Sequence, residues 1–341
     1  MSVDVPVTDR ERRRPADLLA GVWSATNRYA VVLLLLIGIF VFFAVTQPDF
    51  FTTANVENLL TSSSILFVVS IGMTFVVLTG GIDLSVGSLL ALSGLILSKL
   101  FNDLGIPAPL AVLLTCAAAA LIGGGVNGVL IGRVGLSFFV VTLGTLSLYE
   151  GIVNIWSDTE TTYITSGFVD GIGFGKLAGV PYPVWIMVAT YVVALVVLRW
   201  TYFGRDVYSV GGNVTAARLS GINVARTLIL VYAISGLCAG IAGVIQAGRL
   251  GAASPLVGES TPLDAAAAVL LGGTSFLGGV GGVTGTAVGV LFIATLQNGL
   301  SIAAVSSFWQ QIVTGAILIV AISIDRIQQQ GGLRRRRDAG L

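Results

Sequence analysis

The sequence predicts an all-α integral membrane protein with about ten transmembrane helices, some interrupted by glycine-rich breaks, and with both termini in the cytoplasm. Hydrophobic residues make up 55% of the chain and charged residues only 10%, against about 25% in a typical soluble domain. Apolar runs recur along the whole chain with short polar segments between them. The arginines and lysines are confined to the ends and to those segments, as the cost of placing a charge in hydrocarbon requires.

Apolar runs close to the ~20 residues that cross ~30 Å of hydrocarbon are predicted as helices. The ten predicted helices span residues 30–46, 57–79, 84–101, 109–131, 138–155, 183–200, 227–247, 263–277, 283–300 and 309–325. The run at 263–277 is short and flanked by glycine pairs. No small-residue cleavage site follows the first run, so we interpret it as a retained helix rather than a signal peptide.

The placement of arginine and lysine predicts the orientation. With the N-terminus in the cytoplasm and ten crossings, 15 of the 18 basic residues lie inside. The three that lie outside are Lys99, Lys176 and Arg249. A chain with nine crossings would have one basic terminus outside, which argues against that number.

This orientation divides the chain into three parts. They are a basic cytoplasmic N-terminal segment (1–29), a transmembrane domain (30–326) and a basic cytoplasmic tail (327–341). An external loop at 156–181 is rich in threonine and glycine, and we expect it to pack as a small cap. The loop at 201–226 is predicted to be cytoplasmic.

Composition also excludes several functions. The chain has no histidine, which rules out histidine-based catalysis and most zinc sites, and we expect neither a metal nor a cofactor in this chain. Cys116 and Cys238 lie in apolar runs, where buried thiols are expected rather than a disulfide. The net charge of +1 gives no case for nucleic-acid binding.

The 44 glycines are predicted mainly to let helices approach closely, since lipid supplies no hydrophobic drive for helix association. This interpretation applies to Gly123-Gly124-Gly125, Gly236, Gly240 and Gly243.

Two glycine-rich breaks interrupt the apolar pattern. The first is Thr79-Gly80-Gly81-Ile82-Asp83-Leu84-Ser85-Val86-Gly87-Ser88 and the second includes Leu271-Gly272-Gly273-Thr274-Ser275 and Gly278-Gly279-Val280-Gly281-Gly282. Broken helices are tolerated in membranes where protein or a wet cavity surrounds them, and a pair of them indicates a substrate path. For Asp83 two interpretations stay open, a helix N-cap in a tight turn and a direct role in the path. Neither break has a Walker lysine, which argues against nucleotide binding.

The cytoplasmic loop carries a short helix-compatible stretch after Gly211-Gly212, which we interpret as flexible. Asn213 is suited to cap this helix and Gly221 to end it. A short helix on the cytoplasmic face offers a partner protein a docking element, whereas the alternative is a solvated loop that obeys the positive-inside rule.

Polar side chains inside apolar helices are costly against lipid and useful against a hydroxylated solute, so they are candidates for the translocation path. The alternative for each is an interhelical hydrogen bond worth roughly 0.6 kcal/mol. The candidates are Asp83, Ser85, Asn127, Thr142, Asn154, Gln246, Gln297 and Asn298.

Several motifs follow one another in a characteristic order: Gly80-Gly81-Ile82-Asp83-Leu84-Ser85-Val86-Gly87, Val141-Thr142-Leu143-Gly144-Thr145, Gly204-Arg205, Gly211-Gly212-Asn213, Ala216-Ala217-Arg218-Leu219-Ser220-Gly221-Ile222 and Leu271-Gly272-Gly273-Thr274-Ser275. Together they resemble the permease subunits of ribose-type monosaccharide ABC importers, within the superfamily of branched-chain amino acid and ribose permeases. The resemblance extends from about residue 30 to 326. The chain departs from the family pattern at Ser137, Glu150 and Pro262, which leaves the sugar open.

The resemblance implies a multi-pass protein of the bacterial inner membrane that hydrolyses nothing itself. Its expected partners are a cytoplasmic ATPase that holds ATP and magnesium, an extracytoplasmic sugar-binding protein, a second permease copy and membrane lipid. The loop would contact the ATPase through Gly204, Arg205, Asn213, Ala216, Ala217, Arg218 and Gly221.

Three other functions were weighed against an ATP-driven permease. A secondary solute transporter is the main alternative, disfavoured because histidine is absent and few acids lie deep in apolar segments. A membrane-embedded enzyme is disfavoured because no nucleophile with a base and no metal cluster is evident. A non-transporting membrane scaffold is the remaining alternative.

Overall fold

Helices account for most of the chain. A computed structural model describes the backbone of residues 15–338 and the side chains of residues 30–323. The helices are α1 Pro15–Thr46, α2 Thr53–Leu78, α3 Val86–Ser98, α4 Ala108–Ile122, α5 Val129–Gly132, α6 Phe138–Ser157, α7 Gly167–Phe174, α8 Tyr182–Trp200, α9 Tyr202–Gly212, α10 Val214–Leu219, α11 Val224–Leu250, α12 Thr261–Leu271, α13 Val283–Ile302 and α14 Ser307–Asp338. The strands are β1 Thr162–Tyr163, β2 Lys176–Leu177, β3 Val180–Pro181 and β4 Ala252–Ala253, and a 3-10 turn covers Pro48–Phe51.

The all-α membrane fold class is confirmed. Within the described residues, seven helices are long and apolar enough to cross a membrane. They are Thr53–Leu78, Val86–Asp103, Ala108–Gly132, Phe138–Ser157, Tyr182–Trp200, Val224–Leu250 and Val283–Ile302. Shorter apolar helices at Ala30–Thr46, Thr261–Leu271 and Ser307–Ser323 coincide with the other three predicted segments. The count of ten crossings and the cytoplasmic side of both termini stay predictions.

The basic terminal segments are only partly described. The side chains of residues 1–29 and 324–341 lie outside the described residues, so the predicted basic segment 1–29 and the tail 327–341 stay predictions. The backbone nevertheless shows that the first and last apolar helices extend beyond their predicted bounds, since α1 begins at Pro15 and α14 continues to Asp338.

Two of the spans contain a π-helical turn that the apolar pattern did not predict. One covers Lys99–Asp103 and extends α3, and the other covers Gly123–Gly128 and joins α4 to α5. A π turn widens the helix by one residue and often marks a functional position. The second one carries Asn127, which is fully buried.

The predicted helix at 263–277 is wrong in its second half. α12 ends at Leu271 because Gly273 adopts a left-handed conformation, with φ of +84°. The amide of Gly273 donates to Leu270 O and that of Thr274 to Val269 O, the two hydrogen bonds of a Schellman motif. The remaining residues to Gly282 form an irregular break.

Small residues bring the helices into close contact around α11, as predicted for the glycines. α11 packs against α2, α3, α4 and α7. A Cβ added to Gly236 would lie 2.3 Å from Ala119 O, and one added to Gly123 would lie 2.4 Å from Tyr232 O. Gly240 and Gly243 are similarly tight, whereas Gly125 faces open space and is an exception.

The loop at 156–181, which is predicted to be external, packs as a cap on one end of the bundle. Its strand β1 pairs with β4, and β2 pairs with β3 as a small hairpin, both antiparallel. Helix α7 lies against the end of α11, where a Cβ added to Gly173 would be 2.2 Å from the backbone of Gly248. The expected small cap is therefore observed.

The three basic residues predicted outside all have partners at this end. Lys176 forms an ion pair with Glu57 at 2.6 Å, and Lys99 forms one with Asp103 at 3.1 Å. Arg249 donates to Ser62 Oγ at 2.8 Å and also to the Asn58 side chain. The contacts of Lys176 and Arg249 lie where α2 begins and α11 ends, and that of Lys99 lies in the π turn after α3. The orientation itself stays a prediction.

The close packing of α11 predicts that Gly236→Ala lowers the free energy of unfolding by about 1–3 kcal/mol, the usual cost of overpacking. Gly144→Ala is the matched control, because Gly144 also lies inside a helix but has nothing within 4 Å of an added Cβ. Alanine is a better helix former than glycine by about 1 kcal/mol, so this control should hold or gain stability. Thermal unfolding in detergent measures both variants, and equal midpoints would contradict the packing.

Candidate functional site

A buried polar cluster surrounds Asp83 in the first glycine-rich break. Asp83 is fully buried, and its Oδ1 accepts from the amide of Ser85 at 3.1 Å and from Ser85 Oγ at 2.6 Å. Ser235 Oγ on α11 donates to Oδ2 at 2.8 Å. Asn127 Nδ2 donates to Ser85 Oγ at 2.8 Å and reaches Asp83 Oδ1 at 3.4 Å. The cluster thus joins the break, the π turn and α11.

The cluster bears on the helix-cap interpretation of Asp83, whereas a direct role in the path stays a prediction. The N-cap residue of α3 is Ser85, so Asp83 is not the cap, although it accepts from the Ser85 amide just ahead of the helix. Four donor contacts surround the carboxyl group, and both ion pairs among the described side chains involve other acids. Hydrogen bonds of this kind offset the cost of burying a carboxyl group. Asp83 therefore holds three segments together in this conformation.

The sequence predicted Asp83, Ser85 and Asn127 of this cluster as site residues but not Ser235. Ser235 was missed because a lone serine in a long apolar helix usually bonds within its own helix. Thr142 lies beside the cluster, since its Oγ1 donates to Phe138 O at 2.8 Å and approaches Ile82 O at 3.4 Å. Four of the eight path candidates therefore adjoin the first break.

The other four path candidates lie elsewhere. Asn298 and Asn55 exchange amide hydrogen bonds of 2.8 and 3.0 Å where α13 ends and α2 begins. Gln297 is a hydrogen-bond partner of Asp264. Gln246 is half-buried on α11 and Asn154 is exposed on α6. The eight candidates do not form one continuous line, and Asn298 and Gln297 make hydrogen bonds between helices. Their role in the path stays a prediction.

A second buried carboxyl group, Asp264 on α12, was not among the predicted site residues. Ser260 Oγ donates to its Oδ2 at 3.0 Å, and Gln297 on α13 and Thr314 on α14 are further hydrogen-bond partners. The cluster thus links three helices. An acid inside an apolar run is the sequence signal that could have found it.

A cavity of about 240 Å³ lies between α3, α6 and the segment ahead of α12. Its polar lining includes Ser88, Glu150, Asn154 and Glu259. Its apolar lining includes Ala91, Leu146, Val153, Val257 and Pro262. Polar groups set among apolar walls are typical of small-molecule sites, and the volume is below the ~300–1,000 Å³ of pockets for drug-sized ligands. The cavity suits a small polar solute.

The two glycine-rich breaks begin with the same local structure. Like α12, α2 ends in a Schellman motif, in which the amide of Gly80 donates to Val77 O at 2.9 Å and that of Gly81 to Val76 O at 3.1 Å. Gly80 supplies the left-handed conformation, with φ of +81°. The two breaks therefore share a backbone motif as well as a glycine-rich sequence.

The two breaks also touch each other. The amide of Gly279 donates to Leu78 O at 2.9 Å. A Cβ on Gly278 would lie 2.8 Å from the amide nitrogen of Gly80. Gly211, at the end of α9, approaches the same place, since its Cβ would lie 1.8 Å from Leu78 O. We call Gly80, Gly211, Gly278 and Gly279 the glycine junction.

The loop at 201–226 is largely helical. Asn213 Oδ1 accepts from the Ala216 amide at 2.9 Å and caps α10, as predicted, and Gly221 follows its end with φ of +85°. The prediction that Gly211-Gly212 is flexible is wrong, because these residues form the last turn of α9 and Gly211 packs in the glycine junction.

The seven residues predicted to contact an ATPase divide by exposure. Arg205, Asn213, Ala216, Arg218 and Gly221 are exposed. Gly204 and Ala217 are buried, and Ala217 packs with Val210 and Val224. The buried residues therefore pack in the interior of the α9–α10 unit. Its outer surface is apolar at Val214 and Leu219, whose side chains are 44% and 85% exposed. The coupling assignment itself stays a prediction.

Comparison with known proteins identifies the family. The family described as "Branched-chain amino acid transport system / permease component" matches residues 55–322. This chain belongs to that permease family. The ribose import permease of Haemophilus influenzae is 40% identical over 314 residues, covering 89% of this chain and 94% of the relative. The corresponding protein of Bacillus subtilis is 41% identical over 285 residues, covering 83% and 88%.

A third relative is named for another substrate. The D-allose transport system permease of Escherichia coli is 37% identical over 310 residues, covering 88% of this permease and 92% of the relative. No solved structure matches the chain. The permease is thus a multi-pass transport subunit, and its family places it in the bacterial inner membrane.

The polar cluster predicts that Asp83→Asn destabilises the permease by about 1–3 kcal/mol, because the new amide group places its own hydrogens against the donors that surround Asp83. Asp158→Asn is the matched control, since Asp158 is exposed and its left-handed conformation suits asparagine. Thermal unfolding in detergent compares the two. A midpoint for Asp83→Asn equal to that of the unmodified permease would mean that the cluster does not hold the break.

Proposed function

We propose that this permease is the membrane-spanning subunit of an ATP-driven ABC importer and forms the translocation path for a monosaccharide. The observation that carries the proposal is the α9–α10 unit, which has an exposed apolar surface in the loop that the arginine distribution predicts to be inside. The relatives support the substrate class, since they are named for ribose import and D-allose transport. The chemistry left to this subunit is binding and conformational change.

The exposed surface of α10 has the character of a partner site. It presents Val214 and Leu219 beside Arg218, and the buried Ala217 fixes the short helix on the hydrophobic cluster beneath it. Interface centres commonly combine apolar anchors with arginine. The proposed occupant is an ATPase subunit, which holds ATP and magnesium and drives the motion of the loop.

The cavity between α3 and α6 is the proposed site for the solute within this chain. Glu150, Asn154, Glu259 and Ser88 offer hydrogen-bond partners for hydroxyl groups, while the apolar wall fits the faces of a sugar ring. Asn154 is the one path candidate that lines the cavity. The cavity adjoins the segment after β4, near the predicted external end, where a binding protein would deliver the sugar.

The remaining partners follow from the same proposal. An extracytoplasmic binding protein captures the sugar, and a second permease copy completes the pore. Exposed apolar side chains such as Leu34, Leu113 and Val193 then face lipid or the second copy. The alternative, a secondary transporter, needs no ATPase, and this difference decides between the two.

The docking proposal predicts that Leu219→Asp weakens copurification with the ATPase roughly tenfold or more, because an apolar anchor is replaced by a charge. Leu104→Asp is the matched control, since Leu104 is also an exposed leucine, 68% exposed, but lies in the turn after α3, at the predicted outer end. Pull-down from detergent and ATP-dependent sugar uptake by the reconstituted complex measure the effect. Uptake that persists without any ATPase would overturn the importer proposal in favour of a secondary transporter.

The cavity predicts that Asn154→Ala and Glu150→Gln raise the KM for uptake, each by roughly threefold to tenfold, because each loses or weakens a hydrogen bond worth about 1 kcal/mol. Glu160→Gln is the matched control, since Glu160 is exposed in the external loop and does not line the cavity. Uptake of ribose, allose and arabinose into proteoliposomes containing the complete importer provides the test. An unchanged KM in both cavity variants would remove the cavity from the path.

A further inference from the structure

Helix α9 contacts both glycine-rich breaks directly. At the second break, Tyr208 Oη donates to Gly281 O at 2.9 Å. At the first, Gly211 packs against Leu78 O, the carbonyl that accepts from the Gly279 amide. Helix α9 also contacts the membrane-spanning helix α2. There the Phe203 ring stacks on the Phe75 ring, with 6.3 Å between the ring centroids and an interplanar angle of 19°.

These contacts leave little room for independent movement. Val207 and Val210 of α9 are buried, and the glycine junction brings backbone against backbone with no side chain between. Closely packed elements of this kind shift between discrete arrangements and do not deform continuously. A displacement of α9 must therefore move the breaks or separate from them.

The breaks in turn adjoin the helices that line the cavity. The first break leads into α3, which contributes Ser88 and Ala91 to the cavity wall. The second follows α12, whose Pro262 lies in the same wall. A Cβ on Gly87 would also lie 2.1 Å from Gly258 O, so α3 touches the segment ahead of α12 at the cavity. Contacts therefore run from α9 through the breaks to the cavity.

We infer that Tyr208 is a positioning residue that transmits movement of the α9–α10 unit to the second glycine-rich break and so to the cavity. The inference rests on the proposed function, because the ATPase supplies the movement. Its physical basis is the Gly281 carbonyl, which lies in irregular backbone outside any helix and accepts a hydrogen bond from the Tyr208 hydroxyl. Gly211 also packs against Gly279 of the same break, so without the Tyr208 bond the movement of α9 reaches that break only through the glycine junction.

The test is Tyr208→Phe, which keeps the ring and removes only the donor. Tyr202→Phe is the matched control, because Tyr202 lies on the same helix, is 81% exposed and holds Arg205 over a ring that phenylalanine retains. The importer is reconstituted with its ATPase and binding protein, and sugar uptake and ATP hydrolysis are measured together with ribose, allose and arabinose as probes. Loss of the hydroxyl group and its hydrogen bond to Gly281 O should lower the sugar imported per ATP roughly threefold to tenfold, with ATPase binding unchanged.

A labelling measurement distinguishes the loss of coupling between α9 and the second break from a general loss of stability. Leu277→Cys places a thiol in the second break at a position that is 53% exposed, and its modification rate is compared with and without a non-hydrolysable ATP analogue. The analogue should change that rate in the otherwise unmodified importer, and the change should be lost with Tyr208→Phe but kept with Tyr202→Phe.

Three outcomes would overturn the inference. One is an unchanged ratio of uptake to hydrolysis in Tyr208→Phe. The second is a parallel fall of uptake, hydrolysis and assembly, which indicates a merely structural role. The third is a labelling change that persists in Tyr208→Phe. None of these touches the proposed function, which fails separately if the unmodified complex imports sugar without ATP.

Discussion

The hydrogen bond from the Gly279 amide to Leu78 O joins two interrupted helices at one place. A membrane interior offers no water to a backbone group that a broken helix releases, so each such group needs a partner within the protein. The Schellman motifs at the ends of α2 and α12 satisfy some of these groups locally. The Leu78 carbonyl is satisfied by the other break, so the two breaks support each other.

Glycine makes this arrangement possible for two separate reasons. At Gly80 and Gly278 the backbone is left-handed, which other residues adopt only at a cost. At Gly211 the conformation is helical, and the requirement is space, because any side chain would collide with Leu78 O. The same requirement for space recurs along α11, where Gly236 lets α4 approach. Gly80 and Gly278 are therefore required for their backbone conformation. Gly211 and Gly236 are required because the contact leaves no room for a side chain.

The polar clusters show how a membrane protein uses hydrogen bonds where hydrophobic association is weak. Asp83 and Asp264 each accept hydrogen bonds from separate segments. These bonds hold together helices that have no hydrophobic drive to associate in lipid. Asn55 and Asn298 make a third tie through paired amides. Most of the polar residues singled out as path candidates therefore hold helices, and only Asn154 lines the cavity.

The sequence by itself determined the membrane fold class, the approximate position of the ten longer apolar helices, the packing role of most singled-out glycines and the cap at Asn213. These features depend on local composition and spacing, which can be read directly from the amino-acid sequence. It could not determine that Ser235 completes the Asp83 cluster, that Gly211 is packed or that the two breaks meet. Those contacts join residues more than 60 positions apart, so they exist only once the helices have packed, and tertiary structure alone decided them.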